Sequence, residues 1–121
     1  MAAILAAMAF LSLAVQEKKP NLLGEKMEEA PLVEDVSTQN RVTGKTPPCF
    51  LMHTAEDKGA PPDHSIEFFL ALRKANVPAE LHIYEKGPHG FGLGNDRNPE
   101  LKTWSDRLAA WLTGRGVLAA K

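Results

Sequence analysis

At 121 residues the chain has room for one small domain with one core. A formal net charge of −1 removes any electrostatic argument for nucleic acid or an anionic membrane as partner. The single cysteine, Cys49, excludes an intramolecular disulfide and any multi-cysteine metal site.

Residues 2–15, AAILAAMAFLSLAV, are apolar apart from Ser12. The run is shorter than the about 20 residues that span a bilayer. No Lys or Arg follows Met1, and no small-x-small pattern precedes Gln16, so a signal peptide lacks both of its usual flanks. Alanine favours a helix, but a fully buried parallel strand also reads as a continuous apolar run. Periodicity does not separate these readings, and a buried element, a signal-like segment and a gene-start artefact all stay open. Localisation stays open between cytoplasm and secretion. Residues 16–48 carry charge (EKMEE at 25–29 reads as a solvated stretch), Pro20, Pro31, Pro47 and Pro48, and little periodicity. They read as a long irregular connection with one short helix placed near 28–36; such connections are usually functional or part of something larger.

From residue 49 the pattern becomes regular. CFLMHT, 49–54, lies between Pro48 and the polar AEDKG and reads as a buried strand. Pro61 and Pro62 open a helix over about 62–75, with Ile66, Phe68, Phe69, Leu70, Leu72 and Ala75 forming a wide apolar face. Asn76 and Pro78 fit its end. AELHIYE, 79–85, alternates, with Leu81 and Ile83 on one face and His82 and Tyr84 on the other. A glycine-rich turn, GPHGFGLG, follows. Asn98-Pro99 reads as cap and first position of a helix over about 99–113, striped by Leu101, Trp104, Leu108, Trp111 and Leu112. Strand, helix, strand, helix implies parallel strands in an α/β layer structure, and 49–121 as the structured unit.

Asp57 falls just past the first strand and His89 just past the second. Parallel neighbouring strands lie about 4.8 Å apart. Both residues then emerge at the carboxyl edge, where open α/β sheets place their ligands. A carboxylate there can fix the tautomer of the imidazole and stabilise imidazolium, the orienting half of a nucleophile–base–acid triad. Any strand–helix–strand unit brings two loops together and aspartate is common in loops, so spacing alone leaves a structural role open. Gly90 would give the backbone room to hold His89 across that edge.

NLLGEK at 21–26, TPPCFLMHTAEDKGAPP at 46–62, ALRKANVPAELHIYEKGPHGFGLG at 71–94 and WSDRLAAWL at 104–112 resemble the C-terminal third of an α/β-hydrolase. The similar group is the acetylxylan-esterase-like and dienelactone-hydrolase-like branch, related to prolyl-oligopeptidase-type domains, and the resemblance covers about residues 21–118. Its most specific parts are HGFG after the second strand and an Asp-x-x-small-Pro segment after the first; the family usually carries Asp-x-x-Val-Pro, and Ala60 stands at the valine. The resemblance implies Asp57 as triad acid, His89 as triad base and Glu56 as the fallback acid. It implies a small ester or acetylated carbohydrate as substrate, with no cofactor and no metal.

The family's nucleophile is a serine in G-x-S-x-G, ahead of acid and base in chain order. The serines here are Ser12, Ser37, Ser65 and Ser105, and none is flanked by glycines. The chain therefore reads as the acid-and-base third of a serine esterase without its nucleophile, or as a non-catalytic remnant or interaction module of the same origin. Such a piece would leave a sheet edge to associate with something else. Cys49 stands at the wrong end of its strand, some 15 Å from the carboxyl edge at about 3.3 Å per residue. His53, His64 and His82 show no tight ligand spacing with His89; His53 is expected as a hydrogen-bonding neighbour near the edge, and His64 and His82 as surface or interlayer residues. Gly90, Gly92 and Gly94 miss the G-x-G-x-x-G spacing. Trp104 and Trp111 are expected to pack on the sheet.

The N-terminal reading is tested by the mature protein itself. Residues 2–15 are expected to be retained, and N-terminal sequencing that begins near Gln16 or Glu17 would refute this.

Overall fold

The computed structural model describes residues 37–119. The apolar segment 2–15 and the short helix placed near 28–36 lie outside the described residues. In chain order the elements are a 3-10 helix Thr38–Arg41, strand β1 (Cys49–Thr54), helix α1 (Asp63–Lys74), strand β2 (Ala79–Tyr84), a 3-10 helix Pro99–Thr103 and helix α2 (Trp104–Gly114). The expected α/β order holds, and the strands pair in parallel with Cys49 opposite Ala79 and Thr54 opposite Tyr84.

β1 is buried at all six positions, which is why it reads as an unbroken apolar run: both of its faces are covered. Cys49 and Leu51 pack with Leu72 and Val77, joined by Val42, Phe68, Phe69, Ala75 and Leu81. On the other face Phe50 and Met52 pack with Trp104 and Trp111, joined by Tyr84, Phe91, Leu108 and Leu112. The two-residue alternation of one strand thus feeds two helix layers. Arg107 of α2 reaches back to β2, its guanidinium 2.5 and 2.6 Å from the Glu80 carboxylate.

The helix ends show why these segments stop. Asn76 adopts φ +57, the left-handed conformation that asparagine tolerates. The N–H of Val77 donates to Leu72 O at 2.9 Å and that of Asn76 to Arg73 O at 3.0 Å. This is a Schellman ending, with Val77 and Leu72 supplying its apolar contact.

Three expectations need correction. The apolar face of α1 is narrower than the sequence suggests, since Ile66 and Leu70 are exposed. Each stands one step of about 100° round the helix from the inward stripe of buried Ser65 and Leu72 and partly buried Phe68 and Phe69. The helix expected over 99–113 is a 3-10 turn followed by an α-helix. Pro99 has no N–H to give, and the segment opens with an i to i+3 bond from Leu101 N–H to Asn98 O at 3.1 Å. Asn98 makes no side-chain cap. Asn95 organises the turn, its Oδ1 accepting from the N–H groups of Arg97 at 2.9 Å and Asn98 at 3.2 Å.

Leu72 is fully buried between α1 and the sheet, whereas Leu93 is 70% exposed. Leu72→Ala is expected to lower unfolding stability by about 2–5 kcal/mol, and Leu93→Ala by less than about 0.5 kcal/mol. Urea unfolding of the two variants measures both, and equal losses would contradict the packing described.

Candidate active site

Because Thr54 and Tyr84 are paired, the two strands end at the same level and their loops leave side by side. The sequence places Asp57 in one loop and His89 in the other, and the structure brings them together. His89 Nδ1 lies 2.9 Å from Asp57 Oδ2 and 3.1 Å from Oδ1. A carboxylate only accepts, so Nδ1 carries the hydrogen and Nε2 is the ring's acceptor.

Asp57 is itself held from its own loop. Its Oδ1 accepts from the N–H groups of Gly59 at 2.8 Å and Ala60 at 2.9 Å, the side-chain-to-backbone turn that aspartate favours. Its side chain is 7% exposed, against 49% for His89. Burial pushes the Asp57 pKa up, but the Ala60 N–H, the His89 imidazole and the Gly59 N–H outweigh it and hold the carboxyl below its ordinary value. The pair is therefore a shielded anion facing a half-exposed imidazole.

The histidine turn is fixed from three sides. Glu56, the fallback acid, is directed to the backbone: its Oε2 accepts from the Gly87 N–H at 3.3 Å. Gly87 sits at φ +140, and a Cβ there would stand 2.8 Å from both Leu101 Cδ1 and Thr54 Cγ2; only glycine lets the chain pass. Further along, Trp104 donates its indole N–H to Gly92 O at 2.9 Å, and Phe91 meets Tyr84 edge-on with ring centroids 6.5 Å apart. Gly90, between these anchors, takes φ +66 and lets the turn reverse beside His89.

An open cleft of about 690 Å³ lies over the pair, lined among others by Glu56, Asp57, Lys58, Pro88, His89 and Asn98. The other candidates lie apart from it. Cys49 is fully buried at the opposite end of β1, its Sγ 3.2 Å from Pro47 O, and burial raises its pKa. His82 Nε2 sits 2.6 Å from Glu80 Oε1, with its ring 5.4 Å from Phe50. His64 stands in the first turn of α1, and His53 is buried under the acid loop. Among the described residues no three His, Cys, Asp or Glu side chains gather as a metal site would require. Of the serines, Ser37 and Ser65 are buried, Ser105 donates to Lys102 O at 3.3 Å, and Ser12 lies outside the described residues. Sequence reasoning missed the anchoring roles of Glu56 and the Trp104 indole. For Trp104, the seven-residue spacing to Trp111 carried a packing signal, but nothing in it marks a hydrogen bond to a turn.

Parallel strands, a helix on each face and an Asp–His pair at the carboxyl edge make this a segment of the α/β-hydrolase architecture. The Prolyl oligopeptidase family model matches residues 5–115, and the chain belongs to that family. Among solved structures it is similar to an acetyl ester-xyloside bifunctional hydrolase from Caldicellulosiruptor lactoaceticus, at 38% identity and a TM-score of 0.68 over 74% of this chain and 33% of that one. It is similar also to a carboxylesterase from Lactobacillus plantarum, at 28% identity and a TM-score of 0.66 over 69% and 34%. A curated relative, endo-1,4-beta-xylanase B from Butyrivibrio fibrisolvens, is 37% identical over 60 residues, which is 50% of this chain and 9% of that protein. The chain thus spans about a third of the length of these two solved relatives.

The lowered Asp57 pKa has a consequence for stability. An unfolded aspartate titrates near about 3.9. The Asp57 contribution is fully present above that value and is lost as pH falls from there through the lower folded value. Asp57→Asn is therefore expected to flatten the acid limb of stability below about pH 4. Urea midpoints followed from pH 7 to 2.5 test this, and parallel profiles for the two proteins would refute it.

Proposed function

We propose that this chain supplies the acid and base of a serine carboxylic-ester hydrolase acting on small acyl esters, acetylated carbohydrates among them. The observation that carries the reading is the bond from His89 Nδ1 to the shielded Asp57 carboxylate. Membership of the family and the likeness to an acetyl ester-xyloside hydrolase and a carboxylesterase support it.

In this reading Asp57 holds His89 in the tautomer with hydrogen on Nδ1. Nε2 then takes the proton of an attacking serine hydroxyl as its oxygen bonds to the ester carbonyl carbon. The imidazolium so formed is stabilised by the carboxylate and returns the proton to the departing alcohol. Water attacks the acyl-serine in the second half, with Nε2 again as base. The serine would come from polypeptide outside this sequence, since no G-x-S-x-G occurs within it.

The reading makes a quantitative demand. A positioned base alone contributes about 10²–10⁴-fold, whereas enzymes reach at least about 10⁶-fold, and the elbow also provides half of the oxyanion hole. The isolated chain is expected to show no acyl-enzyme burst and only feeble hydrolysis of activated aryl esters. That residual rate should fall in His89→Ala and hold steady in Ser12→Ala and Ser37→Ala. Stopped-flow with an aryl acetate reads all of these. Robust turnover abolished by either serine substitution would overturn the assignment of the nucleophile, and a residual rate indifferent to His89→Ala would overturn that of the base.

A further inference from the structure

The ester chemistry uses Asp57 and the half-exposed His89 and leaves a second imidazole, this one buried, unexplained. His53, in the last turn of the pleat of β1, is 6% exposed. Its Nε2 lies 2.8 Å from Ala60 O and its Nδ1 2.8 Å from Ser65 Oγ. The carbonyl only accepts, so Nε2 carries the hydrogen and donates it to Ala60. Ser65, 4% exposed in the first turn of α1, meets the other ring nitrogen. One imidazole therefore spans strand, loop and helix.

Ala60 is gripped from both sides. Its C=O receives the His53 hydrogen bond, while its N–H donates to Asp57 Oδ1. The same His53 Nε2 stands 3.4 Å from Asp57 Oδ2, the oxygen nearest to His89 Nδ1. The carboxylate thus lies between two imidazoles, one buried beneath it on β1 and one half-exposed across from it on the glycine turn. The adjacent Glu56 is engaged with Gly87, and Lys58 follows on the rim of the cleft. An apolar side chain at position 53 would fill the same volume, yet it would leave a buried carbonyl without its donor.

We infer that His53, set by Ser65, is a positioning residue for the acid: by holding Ala60 it aligns the two N–H groups that fix Asp57 Oδ1 and so presents Oδ2 to His89. The inference rests on the reading of Asp57 and His89 as acid and base, but its test needs no turnover. The side-chain carboxyl of Asp57 is followed by carbon NMR in the full chain labelled at aspartate, from pH 7 to 2. His53→Phe is expected to raise the Asp57 midpoint by about 0.5 pH unit or more, because its backbone donors lose their alignment. His53→Gln, whose Nε2 can still donate to Ala60 O, should stay within about 0.2 unit of the parent. Ser65→Ala should move the midpoint in the same direction by less. Val77→Ala, which loosens the same layer without touching the loop, should leave it within about 0.2 unit.

An unmoved midpoint in His53→Phe, or an equal rise in Val77→Ala, would overturn the inference. If His53→Phe does not fold, Ser65→Ala decides: a rise supports the positioning role and no change overturns it. Failure of the ester-hydrolase reading would register separately, as indifference of the residual esterase rate to His89→Ala, and would leave the Asp57 response to His53 as it is.

Discussion

Everything at the carboxyl edge depends on the parallel register of two six-residue strands. With Thr54 opposite Tyr84, both chains leave the sheet at one level, and the acid loop and the histidine turn start as neighbours. A slip of one residue along either strand would invert its side chains between the two helix layers. The register is held because every β1 side chain is buried, so a slip would turn Leu51 towards the layer of the tryptophans and Phe50 towards α1. The apolar packing of the sheet and the approach of a carboxylate to an imidazole are thus consequences of one alignment.

The loops convert that alignment into direction. On the acid side the chain turns on its own side chain, Asp57 accepting from Gly59 and Ala60. On the base side the turn is held from outside, by Glu56 from the first loop, Trp104 from α2 and Tyr84 from β2. The acid loop is organised locally and the histidine turn by tertiary contacts. Asp57 alone closes the first loop on its own backbone, whereas the second, GPHGFGLG, is rich in glycine.

The same distinction explains what was legible in the sequence. β1 could be read because burial on two faces leaves a continuous apolar run. The end of α1 could be read because Asn76 and Pro78 act through local backbone geometry. Asp57 and His89 could be placed at a common edge because strand, helix, strand implies parallel pairing. Side chains whose roles are set by distant partners were not legible. Glu56 and Asp57 are adjacent carboxylates, and only the fold turns one to Gly87 and the other to His89. Ile66 and Leu70 looked as apolar as Phe69, but the stripe that meets the sheet is set by how α1 lies on it. At the start of the last helical segment, Asn95 displaced Asn98 because either asparagine can close a turn, and the path of the chain from Gly94 chose between them.

Asp57 and His89 are 32 residues apart, and the restraints described above come from residues between His53 and Trp104. Closing a flexible loop of that length costs about 3 kcal/mol of chain entropy beyond a constant, but the pairing of β1 with β2 already closes it. The carboxylate and imidazole therefore meet as a by-product of folding one strand–helix–strand unit. Their contact demands no separate long-range search. The pair therefore forms with the parallel pairing of β1 and β2, in which Cys49 meets Ala79 30 residues along the chain, and it shares the slow, non-local character of that step.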